Sequence, residues 1–138
     1  MDTKFSVALH ILMFLATSEK VATSQVLADS VDTNGSFIRK LMASLKDADL
    51  VKSRQGKSGF VLGREASQID LSQVYQALYG DKSVLHAHEH PNQDCPLGKR
   101  VEGIIQPVFN QVEEQFRQSL KGITLQMLVD DLYKGEEK

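Results

Sequence analysis

Apolar residues recur along this chain at two different spacings, and the change of spacing marks its elements. Phe5, Ala8, Leu9, Leu12, Met13 and Ala16 fall at helical intervals, which predicts a first helix over about residues 3–17. After the polar break at 18–20, Thr23 is placed to cap a short helix over 24–30 that buries Val26 and Leu27, with Val31 just beyond. Residues 32–35 read as a turn in which Asn34 caps a third helix over about 36–48. Its inner face is Phe37, Ile38, Leu41, Leu45 and Ala48, and its outer face is Ser36, Arg39, Lys40, Ala43 and Lys46. Two short strand-like runs, 50–55 and 60–62, flank Gly56-Lys57-Ser58-Gly59 and predict a β-hairpin with a polar, basic tip.

Further on, Asp70 and Gln73 form a capping pair for a helix through Val74, Tyr75, Leu78 and Tyr79 that Gly80 stops. Residues 81–96 hold three His, two of the three Pro and the only Cys, and read as a loop. From Leu97 a long helix carries Val101, Ile104, Ile105, Val108, Val112, Phe116 and Leu120, with Pro107 either kinking it or opening its regular part. That apolar stripe is longer than a small monomer needs and suits a helix packed on its copy in a second chain. Gly122 ends the helix, and Thr124 caps a last one with Leu125, Leu128, Val129 and Leu132 inward. The fold expected is mainly α with a small β-hairpin wing. A winged helix-turn-helix spans 1–80, and a sensor loop with dimerisation helices spans 81–138.

Composition adds little until it is split along the chain. With 138 residues, 41% hydrophobic and 25% charged, the chain is ordinary and globular. Its net charge of −2 hides a division. Residues 1–64 carry nine Lys/Arg against six Asp/Glu, and residues 65–138 carry seven against twelve. A basic face on an acidic body suits phosphate binding. Val7–Ala16 is too short to span a bilayer, and no membrane partner is expected. The lone Cys95 excludes an intrachain disulfide and points to a reducing, cytoplasmic setting.

The order of short helix, turn, amphipathic helix and basic hairpin points to double-stranded DNA, because the major groove admits one helix with its side chains. The candidate DNA-binding residues are Thr23, Ser24, Asn34, Ser36, Arg39, Lys40 and Lys46 in the helical part. Lys52, Arg54, Gln55, Lys57 and Ser58 are the candidates in the wing. Arg39 can meet a guanine edge with two hydrogen bonds, and Lys40 and Lys46 suit phosphates. The candidate dimer interface is Val101, Ile104, Ile105, Val108, Val112 and Phe116. A winged helix that binds protein and not DNA is the alternative. An enzyme is not expected. There is no Gly-rich phosphate loop or nucleophile elbow, and Glu113-Glu114 and Asp130-Asp131 read as solvated helix faces.

These residues also carry a resemblance. "SFIRKLMASLKDADLVKS", the glycine wing and "IDLSQVYQALYG", in that order, resemble the Rrf2 family of bacterial winged-helix transcription regulators over nearly the whole chain. The resemblance implies a homodimer through the long helix and reading by the helix that starts near Ser36. The mechanism expected of such a dimer is repression, by occluding a promoter at a near-palindromic DNA operator. Gln55 stands before the wing glycine where the family usually has Arg, and the turn is one residue shorter. Cluster-binding members carry three closely spaced cysteines before the long helix. This chain has only Cys95, in a Cys95-Pro96-Leu97-Gly98 element, so it resembles the cluster-free branch and no iron–sulfur cofactor is expected. Two sensors are weighed in the same loop. One is a redox-active Cys95 at a helix start, near Lys99 and Arg100. The other, a weaker candidate, is a metal site from His86, His88, His90 and Cys95. A small-molecule effector between the long helix and the reading head stays open.

Overall fold

The computed structural model describes residues 3–88 and 92–136. Its elements run α1 (Lys4–Thr17), α2 (Ser24–Ser30), α3 (Gly35–Asp47), β1 (Val51–Ser53), β2 (Phe60–Leu62), a 3-10 turn (Ala66–Gln68), α4 (Leu71–Tyr79), α5 (Val101–Leu120) and α6 (Leu125–Glu136). The fold is a helical body carrying a two-stranded antiparallel hairpin, paired Val51 to Leu62, Lys52 to Val61 and Ser53 to Phe60.

The nearly unbroken apolar run in α1 has a packing reason. That helix lies against α4, α6 and β2 at once, so more than one stripe of it must be apolar. Ala8, Ile11 and Leu12 are fully enclosed, while His10 is exposed and hydrogen-bonded to Ser30 Oγ at 3.0 Å. Leu27 and Ala28 of α2 and Ile38, Leu41, Met42 and Leu45 of α3 join the same core, as do Leu50, Val51, Ile69 and Val74. Met42 is part of that inner face, and Phe37 is only partly buried. Leu125 and Val129 of α6 also enter this core, which joins the end of the chain to its beginning.

The caps lie where the polar residues predict them. Thr23 Oγ1 accepts from the Val26 N–H at 3.2 Å, and Asn34 Oδ1 accepts from the Phe37 N–H at 2.8 Å. Asp70 and Gln73 form a reciprocal capping box at the start of α4. Two contacts between segments far apart in sequence complete the body. Ala22 bridges Phe60, extending the hairpin edge, and Asp70 bridges Thr124, so the starts of α4 and α6 are stitched together.

The long helix departs from expectation at its start. Residues 93–100 form turns, with Lys99 N–H donating to Cys95 O and Arg100 N–H to Leu97 O, and the regular helix begins only at Val101. It runs through Pro107, which removes one backbone donor without ending the helix. Glu113 also departs from expectation. It is not solvated but only 8% exposed, and its Oε1 accepts the Leu85 N–H. A buried carboxylate must be hydrogen-bonded to be tolerated, and here the segment arriving from α4 supplies the donor.

Candidate nucleic-acid interface

Residue chemistry and helix geometry divide α3 cleanly. Ile38, Leu41, Met42 and Leu45 fasten it to α2, α4 and the wing strand. Ser36, Arg39, Lys40, Ala43 and Lys46 are exposed. The helix therefore presents a small hydroxyl and two cations within its first two turns, on the face turned from the core. Side chains of a helix lean toward its N-terminus, and Arg39 follows this by resting over Gly35.

The predicted polar residues do not all stand in one role. Thr23 and Asn34 have their oxygens engaged as caps, so helix initiation already accounts for those atoms. Ser24, the first residue of α2, is partly buried. Lys46 Nζ donates to Ser53 Oγ at 3.0 Å and ties the end of α3 to β1. In the wing, Lys52, Gln55, Lys57 and Ser58 are exposed, whereas Arg54 is partly buried. Arg54 Nη1 donates to the Ser58 carbonyl at 3.3 Å, and its backbone N–H donates to Gly59 O at 2.9 Å. Arg54 thus braces the turn, and Lys57 is the cation at its tip. Gly56 and Gly59 take φ of 68° and 106°, a region that non-glycine residues avoid, which lets so short a turn close.

One residue that the sequence does not single out stands beside this surface. Arg64 donates to the Ala48 carbonyl at the end of α3 and to Gln73 Oε1 in the α4 capping box. It links the end of α3 to the body, and its only sequence signal is a position just after the hairpin.

The predicted dimer stripe is also divided. Ile104, Val108 and Val112 are 53%, 55% and 46% exposed along one side of α5. Val101 and Ile105 are partly buried. Phe116 turns into its own chain, edge-on to Tyr75 at 5.2 Å between ring centroids. This packing takes it off the outer stripe, because Tyr75, Leu71 and Leu120 make a second small core that needs it.

The loop between α4 and α5 is strapped down by α5. Gln106 accepts the Ala87 N–H at 2.9 Å and donates to the Leu85 carbonyl at 3.1 Å. Glu113 takes the Leu85 N–H. Arg117 stacks over Tyr75 and donates to Lys82 O at 3.2 Å and Gln76 Oε1 at 2.8 Å. Between α4 and α5 an open cleft is lined by Arg64, Gln73, Gln76, Arg117 and Lys121, among others.

Cys95 is exposed and lies in the turns before α5, not at the helix start. His86 and His88 are exposed in the strapped segment, and His90 lies outside the described residues. Among the described residues, no three His, Cys, Asp or Glu side chains are grouped to hold a metal ion. With one thiol in the whole chain, the donors do not fit a three-cysteine cluster. Among the described residues, no helix is long and apolar enough to cross a membrane.

Known proteins share this fold. Residues 1–131 match the Rrf2 family, described as an iron-dependent transcriptional regulator. YwnA of Bacillus subtilis (strain 168), a candidate HTH-type transcriptional regulator, is 32% identical over 132 residues, covering 96% of this chain and 98% of its own. The structure of CymR, the global cysteine regulator of B. subtilis, superposes with a TM-score of 0.66 at 25% identity, covering 94% of this chain and 95% of CymR. A transcriptional-regulator structure from Lactobacillus plantarum shares the fold, with a TM-score of 0.78 at 22% identity over 96% of this chain and 91% of that one.

Proposed function

Because this chain belongs to the Rrf2 family of bacterial transcription regulators, we propose that it binds a specific double-stranded DNA operator as a homodimer and represses by occluding a promoter. The observation that carries the reading is the outer face of α3. Ser36, Arg39 and Lys40 are all exposed near its start, while four apolar residues on the opposite side anchor it. In a helix-turn-helix it is the N-terminal part of the second helix that meets base edges. Arg39 is the base-reading residue and contributes about 1–3 kcal/mol of discrimination at a guanine. Lys40 and Lys46 lie toward phosphates, and Lys52, Gln55, Lys57 and Ser58 carry the wing onto the backbone. Gln55 and a bracing Arg54 make this wing a grip more than a reader.

In the dimer, Ile104, Val108 and Val112 of each α5 pack on the partner. The two α3 helices then enter successive major grooves about 34–36 Å apart on a near-palindromic site. Cys95, exposed ahead of α5, is the thiol whose oxidation alters operator affinity, and no iron–sulfur cluster takes part. The setting is the cytoplasm. The chemistry is recognition and not catalysis, in keeping with the regulators to which the chain is similar.

Selection of binding sites from random duplex DNA, done with reduced and with oxidised protein, tests this. Enrichment of a two-fold sequence, affinity that falls steeply with salt, and loss of that preference in Arg39→Ala with the dimer kept are the expected results. Salt-independent behaviour with no enriched sequence would favour a protein-binding winged helix instead. Equal affinity of the reduced and oxidised forms would remove Cys95 from the mechanism.

A further inference from the structure

Gly35 opens α3 with an ordinary helical backbone, since it is not among the residues at positive φ. Nothing in the chain path requires glycine there, and glycine weakens a helix relative to alanine. The side chain four residues on gives a reason for it. A Cβ added at Gly35 would stand 3.1 Å from Arg39 Nη1 and 4.0 Å from its Cζ. Residues at i and i+4 share a face, and the longer side chain leans back over the earlier one. The Arg39 guanidinium therefore rests on bare backbone at the N-terminal end of α3, the end that enters the groove.

We infer that Gly35 is a specificity-determining residue, whose missing side chain lets Arg39 present its guanidinium at the tip of the reading helix. This rests on the DNA-binding reading above. A methyl group at 35 pushes the guanidinium outward slightly, and a longer side chain occupies its place. Paired hydrogen bonds to one base edge weaken steeply when the donor fork is displaced. Gly35 acts through Arg39 and is a positioning residue, so its effect must appear at the base pair that Arg39 reads.

The test uses the full-length chain and the duplex selected by the wild type. Gly35→Ala, Gly35→Leu, Arg39→Ala and the Gly35→Leu/Arg39→Ala double variant are titrated against that duplex and against single base-pair changes in it. Thermal melting monitors the fold, and Gly35→Ala carries the test if the leucine variant does not fold. The expected result is that Arg39→Ala loses roughly tenfold preference at one base pair per half-site. Gly35→Leu loses a similar preference at that same pair, Gly35→Ala loses part of it, and the double variant matches Arg39→Ala alone. Full preference in Gly35→Leu overturns the inference, as does a loss at a different pair or one added on top of Arg39→Ala. A uniform loss across all duplexes also overturns it, and would make Gly35 a clearance for the phosphate backbone. A wild type that selects no sequence overturns the DNA reading and this assignment together, whereas a selective wild type with selective Gly35 variants overturns this assignment alone.

Discussion

Asp70 shows how much one short polar side chain settles. Its Oδ1 accepts from the Gln73 N–H at 3.0 Å and from the Ser72 hydroxyl, while Gln73 returns a bond to the Asp70 N–H. Burial by itself would raise the carboxyl pKa. The Ser72 hydroxyl and the backbone N–H groups of Gln73, Ser72 and Gly122 outweigh it, and the value lies below its ordinary 3.8. A depressed folded-state pKa means that the carboxylate stabilises the fold above the unfolded value and loses that contribution as pH falls through the folded one. Urea unfolding followed downward from pH 5 is expected to show wild type losing stability below about pH 4 more steeply than Asp70→Asn. At neutral pH, Asp70→Ala is expected to cost about 0.5–2 kcal/mol as a lost cap. Parallel pH profiles for wild type and Asp70→Asn would contradict this account. Glu113 is a different case at the same scale. In sequence it looks like half of an acidic pair, and only the arrival of the Leu85 N–H tells it apart from exposed Glu114.

At the scale of elements, those with local signals were legible. α1, α2, α3, the hairpin and α4 follow from apolar period, Thr23 and Asn34 as caps, glycines in the turn and the Asp70–Gln73 pair. The start of α5 was not, because residues 97–100 are compatible with a helix and turn instead around Asn92 and Cys95 through backbone bonds. The strap over 82–88 was invisible too, since Gln106 and Glu113 meet it only through folding. It yields a prediction. Glu113→Ala is expected to lose amide-exchange protection at Leu85, and Gln106→Ala at Ala87, while α3 keeps its protection. The lost bond in Glu113→Ala should lower stability by about 1–3 kcal/mol, because the Leu85 N–H is left without its acceptor. Unchanged exchange at both amides would show that the strap is held by packing alone.

For the whole molecule, the exposed stripe of Ile104, Val108 and Val112 is the largest apolar feature left on α5. A charge placed there is buried in any helix-to-helix dimer and has no partner, which is costly. Val108→Asp is therefore expected to sediment as a monomer and to lose tight operator binding, because the two half-sites are no longer linked. A dimer that survives this substitution would place the interface elsewhere. In contrast, Phe116→Ala is expected to act on stability, costing about 1–3 kcal/mol through the Tyr75 cluster against which it is partly buried. The charge division has a matching consequence. The basic excess lies in residues 1–64, which hold α3 and the hairpin, so under the proposed function affinity for random duplex should fall linearly in log–log with salt, at a slope of about −0.9 per phosphate neutralised.

By itself the sequence determined the helix-turn-helix, the wing, the capping residues and the polarity of the outer face of α3. Each rests on neighbours within a few positions, where backbone geometry dictates which side chains share a face. Tertiary structure decided which long-range partners those side chains take. Phe116 serves its own core, Lys46 and Arg54 brace the head, Glu113 and Gln106 hold the strap, and Arg39 lies over Gly35. Such contacts join residues whose approach no local period encodes, because the packing of whole elements sets which groups meet.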